Sequence, residues 1–226
     1  MNTQFEDKTF RRKLCGLAAL LGLLAATLRF VLGRLELIVL SDVLLADGFL
    51  ADLFPLLQTL LIVFTFALFF GFFSVIVHKF GFKSAFPFIL LSVGIMTYRF
   101  LLSLIGKVFI DGISEYEFFV SVLPFQILSF LLELAQYLLV IFVIWLTHKL
   151  SASLPRSLLF SSLTVMLMNV GSRILYDIDY GLPTSTKDLF QMIGAYTSDI
   201  LFYGLLLFFA TRFFAAWAEK RYAKNS

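Results

Sequence analysis

The sequence has few of the residues that a water-soluble protein needs at its surface. Only 15% of its 226 residues are charged, and a folded soluble domain of this size leaves too much area facing water to be covered by so few. Its one cysteine, Cys15, excludes an intrachain disulfide. No zinc-binding histidine pair, nucleophile elbow or glycine-rich phosphate loop occurs in the sequence, so nothing indicates an enzyme or a cofactor.

Apolar residues dominate the chain instead. Hydrophobic residues make up 60% of it, 29 residues are phenylalanine, and the mean hydropathy is +0.94. A helix needs about 20 apolar residues to cross a bilayer, and six segments qualify. They are 14–33, 53–77, 86–106, 119–147, 157–176 and 189–215. The sequence therefore predicts a single all-helical integral membrane domain over residues 1–226, with six transmembrane helices.

The charged residues divide unevenly between the two sides of this predicted bundle. The side that holds both termini has twelve lysines or arginines and three acids, whereas the opposite side has three bases and ten acids. The twelve bases are Lys8, Arg11, Arg12, Lys13, Lys79, Lys83, Lys149, Arg156, Arg212, Lys220, Arg221 and Lys224. Cytoplasmic loops carry the excess of positive charge. We therefore expect a multi-pass protein of the cell membrane with its N- and C-termini in the cytoplasm.

An internal repeat links the odd-numbered spans. "ATLRFVL" (26–32), "MTYRFLL" (96–102) and "GSRIL" (171–175) each place an arginine in the outer part of a span. The even-numbered spans open with "LFPLLQ", "LPFQIL" and "LFQMIG" and close with "VHKF", "THKL" and "ATRF". The pattern predicts three tandem two-helix hairpins at 11–80, 84–150 and 155–215, followed by a basic tail at 216–226. Such parallel repeats pack around an axis along the membrane normal, here as a pseudo-threefold.

The first span has an alternative interpretation. "RRKLCGLAALLGLLAA" (11–26) has the basic start and short apolar run of a secretory signal peptide. A segment that is removed has no reason to repeat the arginine of two retained spans. The repeat therefore favours a retained first helix.

Ionisable and amide side chains at membrane depth are the candidate site residues. A charge at the centre of a spanning helix costs roughly 2.5–3.5 kcal/mol on insertion scales, so each arginine is expected to have a partner. The candidate residues are Arg29, Arg99 and Arg173 as fixed cations, Glu133 and Asp199 as counter-ions, and Gln58, Gln126 and Gln191 as amides. Because arginine stays charged and binds carboxylate or phosphate through two hydrogen bonds, the pattern predicts a site for an anion.

Two functions are compatible with this pattern. The first is a small transporter, or the substrate-binding membrane subunit of one, that takes a small anionic or zwitterionic solute from the outer side and depends on an ion gradient or an energising partner subunit. The alternative is a non-transporting scaffold or accessory subunit, in which buried ion pairs hold helices or a partner together. The lipid bilayer is a partner in both cases, and no feature indicates nucleic acid.

Other polar residues have simpler explanations. His78 and His148 each precede a lysine at the predicted cytoplasmic boundary, where anchoring at the membrane surface is the favoured role over a pH switch. Asp177 and Asp179 form an acid-x-acid pair of the kind that holds a divalent cation. That loop is acidic throughout, which favours solvated charge. No metal site is therefore predicted.

Overall fold

The computed structural model describes residues 3–41, 49–110, 113–180 and 186–225. Within them, side chains are described for residues 8–35, 53, 56–109, 113–114, 116–168, 170–171, 189–190, 192–194, 197 and 204–223. Every regular element in these ranges is helical. The α-helices are α1 (Thr3–Ser41), α2 (Phe49–Phe80), α3 (Phe82–Ile105), the single turn α4 (Glu115–Glu117), α5 (Leu123–Lys149), α6 (Leu154–Tyr180) and α7 (Thr186–Asn225).

Two local features set the connections between these helices. Gly81 alone joins α2 to α3, and its φ of +80° lies in a region that glycine adopts without steric cost. Wider π-helical turns at Gly106–Ile110 and Phe118–Val122 stand on either side of α4. Because Pro124 lacks an amide hydrogen, it cannot continue the normal ladder of hydrogen bonds, and the second π-helical turn ends directly before α5.

Four of the described helical stretches are long and apolar enough to cross a membrane. They are Lys8–Leu35, Leu56–Phe80, Phe82–Phe109 and Phe118–Lys149, with mean hydropathies of 2.0–2.8 over their most apolar windows. Leu154–Met168, in α6, is a shorter apolar helical stretch. These helices confirm the all-helical, membrane-type architecture. All six predicted segments lie in helical regions, but a count of six spans stays a prediction.

Helix α2 lies at the centre of the bundle. It contacts α1, α3, α5, α6 and α7, and 67% of its most apolar window is buried, against 22–28% for the other three spans. Helix α2 is apolar around its whole circumference, as a helix buried on all sides must be. A threefold arrangement would give α2 and its counterpart α5 equal burial. The hairpins are thus not packed equivalently, and the tandem repeat stays a prediction about the sequence.

The contacts between neighbouring helices fix their relative directions. Helices α1 and α3 run parallel, since Thr27 Oγ1 lies 3.1 Å from the Tyr98 hydroxyl and Arg34, further along α1, lies against Gly106. Helices α2 and α3 run antiparallel through the tight connection at Gly81. The rings of Phe73 and Phe82, on either side of that connection, meet edge to face at 6.1 Å.

One end of the bundle collects the N-terminal part of α1 and the C-terminal parts of α2, α5 and α7. The Tyr222 ring lies 5.0 Å from Phe10 and 5.3 Å from Phe80. On the same end, the rings of His78 and His148 meet edge to face at 5.2 Å. We call this the terminal end, because the first described residues of α1 and the last of α7 lie there, and we call the opposite end the far end.

Candidate functional site

A partly open cavity of about 370 Å³ lies toward the far end, between α1, α2, α3 and α5. Its charged and amide lining consists of Arg29, Arg34, Gln58, Arg99, Gln126 and Glu133. We call it the arginine cavity. Five of the eight residues predicted from the sequence are in this set, from all four contributing helices. The repeat alone did not predict that these residues would lie at one site. A sequence repeat shows which positions correspond to each other, but it does not show the distances between them in the fold.

An ion pair crosses the cavity between α3 and α5. The Nη1 atom of Arg99 donates to Oε1 of Glu133 at 2.5 Å, and the two side chains are 21% and 29% exposed. The predicted partnership of these two residues is therefore present. It explains how an arginine is tolerated in the apolar run "MTYRFLL", since a carboxylate from the neighbouring helix offsets the loss of water around the charge.

Arg29 lies beside this pair, and no described side chain bonds to it directly. It is half-buried on α1 and lines the cavity together with Arg99 and Glu133. Among the residues that the structure describes, Arg29 makes no hydrogen bond and no ion pair. Its guanidinium is therefore a fixed cation whose hydrogen-bond donors are not used by any described residue. The nearby carboxylate of Glu133 is already paired with Arg99.

The outer part of the cavity is lined by a serine, two glutamine amides and one arginine. Ser103 Oγ donates to Oε1 of Gln126 at 3.1 Å, which again joins α3 to α5. Gln58 enters from α2 close to Gly33. Arg34 stacks over Phe30, with its guanidinium carbon 5.4 Å from the ring centroid, so its side chain is held against the wall of the cavity.

A second, narrow cavity of about 30 Å³ adjoins the first on the side toward the terminal end. Arg29, Arg99 and Glu133 line both cavities. The narrow one also reaches Thr65 and the buried hydroxyl pair in which Tyr137 donates to Ser92. Its volume suffices for about one water molecule. The charged residues thus lie between a roomy outer cavity and a small, mainly apolar recess that contains a few hydroxyl groups.

Three predicted site residues cannot be placed. The side chains of Arg173, Gln191 and Asp199 lie outside the described residues, so the third hairpin's share of the site stays a prediction. Within the ranges that the structure describes, no group of three or more histidine, cysteine, aspartate or glutamate side chains is arranged to hold a metal ion.

Sequence reasoning missed several residues that line the two cavities. Ser103 follows Arg99 by four positions and therefore shares its helix face; this spacing could have identified it. Tyr137 stands in the same relation to Glu133. Arg34 is one of the three bases on the side opposite the termini, and its position little more than one helical turn after Arg29 could have identified it.

Comparisons with protein-family models, with characterised proteins and with solved structures find no match to this chain. The arrangement of the cavity is therefore the basis for a proposal about function.

Proposed function

We propose that the protein binds a small anionic or zwitterionic solute in the arginine cavity, as a small transporter or as the substrate-binding membrane subunit of one. The observation that carries the proposal is Arg29. This guanidinium has no direct partner among the described residues and lies in a cavity of about 370 Å³, a size typical of ligand sites.

The energetic reason is the cost of a charge away from water. An arginine at the centre of a spanning helix is unfavourable by roughly 2.5–3.5 kcal/mol on insertion scales, and Arg29, in the outer part of its helix, keeps only a part of that cost because it can extend toward water. An anion in the cavity would offset that cost through two parallel hydrogen bonds. The bound solute would also interact with Arg99, which would exchange its hydrogen bond to Glu133 for one to the solute.

The orientation of the site supports uptake from outside. The proposal includes six spans in three hairpins, with both termini cytoplasmic according to the distribution of Lys and Arg. The arginine cavity lies toward the far end of the bundle, so in this orientation it faces the exterior. A solute would enter from there, and an ion gradient or an energising partner subunit would drive its release inside.

The test is native mass spectrometry of the gently purified full chain, followed by thermal unfolding with a panel of acetate, lactate, glycine and inorganic phosphate. A ligand at one hundred times its Kd stabilises by about 2.7 kcal/mol. We expect wild type to retain or be stabilised by at least one small anion or zwitterion, and Arg29→Gln to lose that effect. Arg156→Gln, an exposed arginine of α6, is the matched control and should behave as wild type.

The alternative is a scaffold or accessory subunit, for which the closed Arg99–Glu133 pair is the supporting observation. A chain that retains no solute, responds to no member of the panel and carries a stoichiometric protein partner would overturn the proposal in favour of this role. Glu133→Gln then lowers stability or partner binding. In a transporter, the same variant folds but loses uptake.

A further inference from the structure

The donors of the arginine cavity stand at two levels along the bundle axis. The inner level contains Arg29 and Arg99, and the outer level contains the Ser103–Gln126 pair. Arg99 and Ser103 are four residues apart on α3, which corresponds to about 6 Å at 1.5 Å per residue. A ligand that contacts both levels therefore needs two polar groups separated by about this distance.

The hydrogen bond from Ser103 fixes what Gln126 offers to a ligand. Because Oε1 of Gln126 already accepts the Ser103 hydroxyl, the amide group is oriented, and its nitrogen with two hydrogens is the donor that Gln126 offers to a ligand. Among the described residues this nitrogen makes no hydrogen bond. The outer level therefore presents donors, as the inner level does, and both levels select acceptor atoms.

The charge of the outer level has the same sign. The Arg34 guanidinium lies against Gly106, one turn beyond Ser103 on the same side of the cavity. It lines the cavity together with Gln126. The described lining thus has an arginine at each level, while its one described acid, Glu133, is held at the inner level.

We propose that the solute is an acyclic anion with an acceptor group at each end, of which short α,ω-dicarboxylates are the simplest members. This inference rests on the proposed function and narrows its substrate class. One terminal carboxylate binds Arg29 and Arg99, and the other accepts from the amide of Gln126. The cavity of about 370 Å³ lies in the size range of small-molecule sites, about 300–1,000 Å³, which leaves room for a diacid of four to six carbons and for waters.

The experiment measures the affinities of matched acids for the full chain in lipid nanodiscs by isothermal titration calorimetry. Succinate, glutarate and adipate are compared with butyrate, valerate and hexanoate, which have the same chain lengths but only one carboxylate. We expect one diacid to bind at least about tenfold more tightly than its monoacid, because a hydrogen bond to a charged group contributes that much. The preference should peak at one chain length.

Two variants separate the levels. Gln126→Leu removes the amide donor of the outer level and should weaken the binding of the diacid much more than that of the monoacid, so that the advantage of the diacid is lost. Arg29→Gln should weaken the binding of both acids. Gln136→Leu, the same type of exchange on α5 outside the cavity lining, is the control. Gln126→Glu keeps a polar side chain should the leucine variant fail to fold, and its negative charge should turn the preference for the diacid into a penalty.

The outcomes distinguish this inference from the function on which it rests. Equal affinities for diacid and monoacid, or a Gln126→Leu effect of the same size on both, would overturn the two-ended solute and leave a one-ended anion site. Binding of inorganic phosphate but of no carboxylate would overturn it in the same way. If no anion of either type binds, the proposed function itself fails.

Discussion

Replacing Gly71 by alanine should separate the central helix from α7 and destabilise the protein. A Cβ at this position would lie 2.9 Å from the carbonyl oxygen of Thr211, 3.0 Å from Cβ of Phe214 and 3.1 Å from the amide nitrogen of Ala215. Two of these three atoms belong to the backbone of α7. They cannot rotate away as the end of a side chain can, so the helices themselves must move.

The size of the effect follows from these distances. Favourable contacts between heavy atoms lie at about 3.5–4.0 Å, so α2 and α7 must part by roughly half an ångström. Overpacking of this kind costs about 1–3 kcal/mol, and the better helix propensity of alanine returns at most about 1 kcal/mol. The expected net loss in the free energy of unfolding is about 1–2 kcal/mol, and Gly71→Val should lose more.

Tryptophan fluorescence provides a local assay during denaturation in mixed micelles. Trp217 stacks on Phe72, next to Gly71, with ring centroids 5.6 Å apart and an interplanar angle of 19°. The chain has two tryptophans, so a Trp145→Phe background makes Trp217 the sole reporter. Both the emission of the folded state and the midpoint of unfolding should change in Gly71→Ala.

Gly94→Ala is the matched control, since the same Cβ on α3 would meet no atom within 4 Å. This variant should be as stable as wild type or slightly more so. If Gly71→Ala and Gly94→Ala unfold at the same denaturant concentration, α2 and α7 are not in the close contact that the structure shows, and the reasoning is refuted.

Three further exchanges test other contacts of the bundle by the same unfolding assay. In Gly204→Ala, the new Cβ would lie 2.8 Å from the sulfur of Met166. Because a thioether side chain is flexible and can move away, the free energy of unfolding should fall by less than about 1 kcal/mol. A loss as large as that of Gly71→Ala would contradict this prediction. Tyr137→Phe should cost about 1 kcal/mol, because Ser92 keeps its hydrogen bond to the Phe88 carbonyl. Ser92→Ala leaves the buried Tyr137 hydroxyl without its acceptor and should cost more, about 1–3 kcal/mol; the reverse order would contradict the direction of this bond.

The sequence was sufficient to predict the helices but not their arrangement. Long apolar runs bounded by charged residues identify six segments, and all six lie in helical regions. This works because the thickness of a bilayer sets the length of apolar helix that is needed to cross it. The central position of α2 could not be predicted in this way. A helix that faces lipid and a helix surrounded by protein are both apolar on every side, so periodicity does not distinguish them.

The candidate site was predictable in its charges and not in its shape. The cost of an unpaired arginine required a carboxylate near Arg99, and Glu133 was identified on the partner helix of the same hairpin. The outer level, with Ser103, could not be predicted in the same way. Serine is common in membrane helices, and its burial there needs no charged partner. Nor does the sequence indicate that Arg29 would lie beside Arg99 with no carboxylate of its own among the described side chains.

The central position of α2 has a consequence for biogenesis. Only α1 precedes it in the chain, while its other neighbours α3, α5, α6 and α7 are all synthesised later. When α2 leaves the translocon it is therefore surrounded by lipid, because most of the helices that contact it in the folded protein have not yet been synthesised. Its span has the highest mean hydropathy of the four, 2.8, so the single helix is stable in lipid before the later helices pack against it. The strip around Gly71 is the last part of α2 to be covered, and a nascent chain that stalls before α7 would leave it exposed to the quality-control machinery of the membrane.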